Sequence, residues 1–324
     1  MEHPDTSQLP KQAPVSPAPP KPSAGKKKKK KRLQTVLLFL LLFLLALACI
    51  GIILYPMISN LYSDQMQSRL QLNYEEKLSV VDNSALEAVL EAARAYNMRL
   101  SSVYSFGKNM ERVDLDDYES ILDPTGTGIM AYVRIPLIDV NLPVYHGSNL
   151  TNLEKGVVHL LGTSFPVGGE STHAALSAHT GLASNKLFTD LEAIELDDVF
   201  YIHVCKEILA YQVVRIDVVD PSDTSLLGIY PGEDYVTLIT CTPYGINSHR
   251  LLVRGKRIPY QKAVQIEEEI RKTKTEVPSQ WENMYLRGIL YGLGGALFLI
   301  LLIVLLNQFR KRAKKARDRH EKTK

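Results

Sequence analysis

Two stretches of this chain, Val36 to Tyr55 and Gly288 to Leu306, run for twenty and nineteen residues without a charged side chain. A helix of that length crosses the ~30 Å hydrocarbon core of a bilayer. Core helices of soluble proteins rarely run so far without a polar face, so both stretches are read as transmembrane helices. Their flanks set an orientation. Lys26 to Lys31 and Arg32 precede the first span, and Arg310, Lys311, Arg312, Lys314, Lys315, Arg317 and Arg319 follow the second. Basic flanks stay in the cytoplasm, which puts both termini inside and everything between the spans outside. The first span resembles a signal peptide, but its apolar core exceeds the usual ~7–15 residues and no small-x-small site follows at Tyr55–Pro56. It reads as an uncleaved signal-anchor.

Charge follows the same division. Residues 1–32 and 307–324 each hold nine Lys/Arg and two Asp/Glu; of 38 and 35 in the chain, this leaves 20 basic against 31 acidic residues elsewhere, a net −11. The basic charge belongs to the membrane surface, and a basic nucleic-acid-binding domain is excluded. Residues 1–25 hold seven of the seventeen prolines and no aromatic residue, the composition of a solvated tail. Cys49 lies in the first span, leaving only Cys205 and Cys241 outside. Two cysteines build no disulfide framework, and one of them is a candidate working thiol; a Cys205–Cys241 bridge stays open at this point.

Beyond the first span, Leu70, Tyr74, Leu78, Val81, Ala85, Val89, Ala92 and Tyr96 recur at helical spacing. Asp82–Asn83 and the capping-box pair Ser84 and Glu87 predict that two helices meet there. Asn97 to Tyr118 has no clean period and reads as an irregular loop. From Ile129 the texture becomes short β-branched or alternating runs: Ile129–Pro136, Asn141–Tyr145, His173–Ala178, Val199–Val204, Ile208–Val219, Tyr235–Cys241 and His249–Arg257. One short helix is expected near Lys186–Ile194, and Val264 to Lys274 reads as a polar helix or spacer. Seven or eight short strands in so few residues predict a closed β-barrel or a sandwich.

The chemistry concentrates at strand ends. Alternation along Tyr235-Val-Thr-Leu-Ile-Thr-Cys241 puts Val236, Leu238 and Thr240 on one face, and Thr237, Ile239 and Cys241 on the other. The turn-rich run Thr242 to Ser248 follows, then a second strand from His249. If the two strands are antiparallel neighbours, Cys241 ends one where Arg250 begins the next. A neighbouring cation favours the thiolate, and a guanidinium can donate two parallel hydrogen bonds to a substrate carbonyl or oxyanion. A proton carrier is also needed. Of His146, His159, His173, His179, His203 and His249, the residues alone prefer His179 only narrowly to His249.

Ser177-Ala-His-Thr-Gly181 and Thr237-Leu-Ile-Thr-Cys241 resemble the histidine and cysteine motifs of sortases, the second fitting their T-L-x-T-C signature. The run from Cys241 to Gly255 is similar to the class C, or pilin-polymerising, branch. So are Ile135-Pro-Leu-Ile138, Pro143-Val-Tyr-His-Gly147, Leu161-Gly-Thr-Ser164 and Lys186-Leu-Phe-Thr-Asp-Leu191. The similarity covers about residues 60–260. It implies a mainly β fold, an eight-stranded closed barrel with N-terminal helices, flanked here by two transmembrane helices. It further implies Cys241 as nucleophile, His179 as general acid/base and Arg250 as the substrate-positioning, oxyanion-stabilising group. The implied reaction cleaves an LPXTG-like sorting signal between Thr and Gly through a thioester, then passes the acyl group to an amine. In class C that amine is a pilin lysine; in housekeeping members it belongs to a cell-wall precursor. The expected partners are pilin or surface-protein substrates and the membrane, with no cofactor and no metal.

Many class C enzymes also carry a lid with an Asp-Pro-aromatic motif over the cysteine. The stretch Tyr96 to Lys108 lacks that motif, and Asp123–Pro124 is followed by Thr125, so an accessible Cys241 is expected. The resulting division is a cytoplasmic tail (1–32), signal-anchor (33–56), helical region with lid-like loop (57–128), catalytic barrel (129–260), linker (261–287), transmembrane helix (288–306) and basic tail (307–324). Two other readings remain: a zinc site on His173, His179 and Cys241, and a non-enzymatic surface scaffold in which Cys241 is inert.

Overall fold

The computed structural model describes residues 24–102, 118–147, 149–182, 185–273 and 279–321. The chain falls into two units, Met1–Leu54 and Tyr55–Lys324. The described part of the first is the beginning of helix α1 (Ala24–Val80), whose Leu, Ile and Phe side chains are exposed. The second unit contains the rest of α1, helices α2 (Asn83–Ser101), α3 (Leu150–Lys155), α4 (Tyr260–Thr273) and α5 (Gln280–Glu321), and all the strands. Both α1 and α5 contain a segment long and apolar enough to cross a membrane.

Eight strands close into a barrel: β1 (Ile129–Ile135), β2 (Val140–His146), β3 (Val157–His159), β4 (Thr172–Ser177), β5 (Val199–Val204), β6 (Glu207–Val219), β7 (Asp234–Thr242) and β8 (His249–Ile258). Around the barrel the order is β1-β2-β3-β4-β7-β8-β6-β5. Pairing is antiparallel except for β2 with β3 and β4 with β7. Strand parity separates two faces. Ala174 and Leu176 of β4, Val236 and Leu238 of β7, and Leu251 and Val253 of β8 join the main core. Ala175, Ile239 and Leu252, one residue out of phase, form a second apolar cluster with Leu227 on the outer face.

The seven strand segments read from the sequence lie within a residue of the observed ones. The eighth, β3, has three residues, too few to show alternation, and is recruited by parallel pairing of Val157 and Val158 with Val144 and Tyr145. The short helix α3 before it was not foreseen. The helix expected near Lys186–Ile194 is a single helical turn, Thr189–Ala193. The helical stripe also needs correction. Tyr74, Leu78 and Tyr96 are buried as expected and Val81 and Val89 pack partly buried against the core, but Ala85 and Ala92 are exposed, and α2 also buries Leu86, Leu90, Ala93 and Leu100. The chain breaks at Val81–Asp82, so the helical phase restarts. Asp82 is the N-cap, with no side-chain cap bond, and Ser84 Oγ donates to the Asp82 carboxylate instead of forming a capping box. The spacer at Val264–Lys274 is mostly α4, which buries Ala263 against Val199, Tyr201 and Ala210.

The irregular loop expected from Asn97 in fact begins as helix, because α2 runs to Ser101. Most of the lid-like stretch, residues 103–117, lies outside the described residues. Asp123 accepts hydrogen bonds from Thr127 N and Gly128 N, both at 3.0 Å, and shapes the turn into β1. Asn97 is buried and binds Phe165 twice: Nδ2 donates to Phe165 O (3.0 Å) and Oδ1 accepts from Phe165 N (2.7 Å). Asn97→Ala strands Phe165 N in an apolar setting, while Phe165 O keeps the bond from Val167 N at 2.8 Å. At about 1–3 kcal/mol for an unsatisfied buried group, the expected loss of stability is about 1–3 kcal/mol, read as a lower midpoint of chemical denaturation.

Candidate active site

The hairpin of β7 and β8 makes Cys241 and Arg250 direct cross-strand partners. Such residues have Cα atoms about 4.5–5.5 Å apart and project to the same face. Both are half-buried. Arg250 Nη1 donates to His249 O at 3.1 Å and Asn247 O at 3.4 Å, which folds the guanidinium against its own loop.

The histidine arrives on the other side of β7. In the parallel β4–β7 pair, Ala175 stands opposite Thr237 and Ser177 opposite Ile239. The alignment continues past the end of β4: Ala178 N donates to Ile239 O at 3.0 Å, and Thr240 Oγ1 donates to Ala178 O at 2.9 Å. Two further residues along both chains bring His179 level with Cys241, on the same parity. By this register the imidazole, two residues past the end of β4, adjoins the thiol of β7, whose cross-strand partner is the guanidinium of β8, beside the outer cluster of Ala175, Ile239 and Leu252.

The other histidines are placed elsewhere. His249 pairs with Thr242, one residue off the parity of Cys241. It is exposed, with Ser248 Oγ 2.8 Å from its Nδ1 and Asp220 Oδ1 3.9 Å from its Nε2. His173 shares the parity of His179 but lies six residues back, roughly 20 Å at the rise of a strand. Its Nδ1 donates to Gly228 O and its Nε2 accepts from Thr237 Oγ1, both at 2.7 Å. Burial pushes this imidazole down to about 4. With both ring nitrogens engaged and the ring that far away, His173 cannot join His179 and Cys241 around one zinc ion. Among the described residues no group of three or more His, Cys, Asp or Glu could hold a metal. His159 is likewise a core residue, bonded to Tyr118 Oη and Ser164 O.

Cys205 is buried in the β5–β6 turn, and burial pushes its thiol up to about 12. All three cysteines are free, so the Cys205–Cys241 bridge is not formed. Sequence reasoning missed the contacts that brace the histidine segment. Phe188 N donates to His179 O and Gly181 N to Thr189 Oγ1, both at 3.1 Å. Lys186 pairs with Asp190 at 2.9 Å. On the cysteine side, Thr242 Oγ1 donates to Glu192 Oε1. The sequence signals for these groups were the short helix expected near Lys186–Ile194 and the Lys186-Leu-Phe-Thr-Asp-Leu191 resemblance, and neither names the partners.

The connection between β6 and β7 is fastened over the outer face. His173 holds Gly228 O, and the Arg254 guanidinium donates to Leu226 O. That guanidinium lies 5.0 Å from the Tyr230 ring centroid and 5.4 Å from that of Tyr235, favourable distances for cation–π attraction. Leu226 and Leu227 thereby pack on Ala175, Ile239 and Leu252.

A closed eight-stranded barrel with thiol, imidazole and guanidinium aligned at one rim defines a thiol-based acyl-transfer class of β-barrel. The chain belongs to the sortase family: the sortase domain matches residues 133–258. The structure is similar to sortase C of Streptococcus pneumoniae, a structure described for its bearing on pilin substrate specificity. That protein is 43% identical with a TM-score of 0.54, over 59% of this chain and 97% of that one. It is also similar to sortase C1 of GBS pilus island 1, 46% identical with a TM-score of 0.53, over 57% of this chain and 89% of that one. In sequence the chain is 28% identical to sortase D of Bacillus subtilis over 129 residues, 39% of this chain and 62% of that protein's length.

Proposed function

We propose that this chain is a membrane-anchored class C cysteine transpeptidase that polymerises pilins. Cys241 is the nucleophile, His179 the general acid/base and Arg250 the group that positions substrate and stabilises the oxyanion. The thiolate attacks the Thr carbonyl of an LPXTG-like signal. His179 protonates the departing Gly amine, leaving a thioester on Cys241. A pilin lysine then gives up a proton to His179 and attacks the thioester, forming an isopeptide bond and releasing the thiol. Arg250 supplies a planar pair of donors to the carbonyl oxygen in both steps.

What supports this reading is the cross-strand pairing of Cys241 with Arg250 and the parallel β4–β7 register that runs on toward His179 just past the end of β4. The pilin assignment is supported by the 43–46% identity to class C enzymes, one described for pilin substrate specificity and one from a pilus island. The two apolar helices with basic flanks support a two-pass topology with the barrel outside and both termini in the cytoplasm. The division into tails, spans, helical region, catalytic barrel and linker is part of the same proposal.

The test is mass spectrometry of the product formed from the protein, a sorting-signal peptide and a candidate pilin. The expected product carries the acyl group on a pilin lysine. A product formed only with a wall-precursor amine would assign the chain to wall anchoring instead.

A further inference from the structure

β4 ends at Ser177, two residues before His179, while β7 runs through Cys241 to Thr242, and among the described residues nothing in the β4–β7 ladder holds the two segments together beyond Thr240. The short turn Thr189–Ala193 does. It is tied to the histidine segment by Phe188 N to His179 O and by Gly181 N to Thr189 Oγ1, each 3.1 Å. Lys186 ion-pairs with Asp190 of the turn at 2.9 Å, where the Asp190 side chain is only 3% exposed, and its Nζ also donates to Ile138 O at 3.2 Å, which ties the turn to the β1–β2 connection. From this anchored turn Glu192 reaches the residue after the cysteine, accepting the hydroxyl hydrogen of buried Thr242. A second contact runs in parallel: the Tyr244 ring of the β7–β8 connection lies against Gly181, where a Cβ would meet it at 3.5 Å.

We infer that Glu192 is a positioning residue for this reaction, its carboxylate bonding Thr242 and thereby holding the cysteine end of β7 at a set separation from the histidine segment. The inference rests on the transpeptidase reading. Parity supports a positioning role and not a catalytic one. Thr242 shares the face of Val236, Leu238 and Thr240, opposite to Cys241, so Glu192 meets Thr242 on the side of the strand away from the thiol. A hydroxyl bonded to a carboxylate is a charge-assisted contact, stronger and geometrically tighter than a neutral one. His179 must give a proton to the amine leaving the Cys241 acyl centre in the first half and take one from the amine attacking it in the second, and small displacements between reacting groups are costly. Glutamine presents an acceptor oxygen with the same reach and should preserve the geometry; alanine cannot.

The experiment follows acylation of Cys241 in the full chain in detergent micelles, by mass spectrometry, with a peptide carrying Leu-Pro-Glu-Thr-Gly. Glu192→Ala and Thr242→Val should each slow acylation at saturating peptide by roughly tenfold to a hundredfold. The peptide concentration giving half-maximal rate should change less than twofold. Glu192→Gln should recover most of the rate, and the double variant should be no slower than the slower single one. Near-wild-type acylation by Glu192→Ala would overturn the inference. So would multiplicative losses in the double variant, or a Glu192→Gln as slow as the alanine variant. A wild-type chain that forms no acyl-enzyme overturns the transpeptidase reading itself, and the inference with it. The two failures are therefore distinguishable.

Discussion

Cys241→Ala is expected to abolish both the thioester and every transfer product, whereas Cys205→Ala keeps most of the activity. The contrast follows from environment. Cys241 is half-exposed at a strand end with Arg250 as its cross-strand partner, open to an incoming substrate. Cys205 is 3% exposed, and its burial holds the thiol protonated through the physiological range. His179→Ala should be nearly as damaging, since a positioned acid/base contributes on the order of 10²–10⁴-fold. Arg250→Lys retains the charge but loses the planar pair of donors, and should cost roughly 10²–10³-fold if the group serves the oxyanion. All four are read by acyl-enzyme mass and product formation with a sorting-signal peptide. Nearly full turnover by Arg250→Lys would remove the bidentate role, and product from Cys241→Ala would remove the nucleophile.

Gly255→Ala should give the largest loss of stability of any single-methyl addition to the barrel. Gly255 lies in β8, paired with Val236 on one side and Val213 on the other. A Cβ there would sit 2.5 Å from Cε1 and 2.6 Å from Cζ of Phe200, and 2.8 Å from Cβ of Tyr211. Neither ring has room to retreat: Phe200 is 1% exposed, Tyr211 is fully buried, and the two are stacked with centroids 5.6 Å apart. Overpacking of this kind costs about 3 kcal/mol or more, a large part of the ~5–15 kcal/mol that holds a domain together. Gly228→Ala is the matched control, because nothing lies within 4 Å of its Cβ position. Its effect should stay within about 0.5 kcal/mol. Denaturation midpoints of the two variants check the contrast; equal midpoints would show that the Phe200–Tyr211 pair yields.

Much of this protein was legible in its residues, because much of it is governed by local periods. The uncharged runs of twenty and nineteen residues are read by length and hydropathy alone. The alternation from Tyr235 to Cys241 names both faces of β7 without reference to any partner strand. The T-L-x-T-C run and the Cys241 to Arg250 spacing pair those two residues as soon as the strands are antiparallel neighbours. Other features depend on which segments meet across the chain, and no local period encodes that. Only the parallel β4–β7 register carries the His179 segment toward Cys241 and leaves His173 roughly 20 Å away under the β6–β7 connection, while the β6–β8 pairing sends His249 to Asp220. Three-residue β3 exists because β2 and β4 flank it. The bonds from Glu192 to Thr242 and from Asn97 to Phe165 join residues 50 and 68 positions apart. Periodicity reports which way a side chain points, while closure of the barrel decides what it meets.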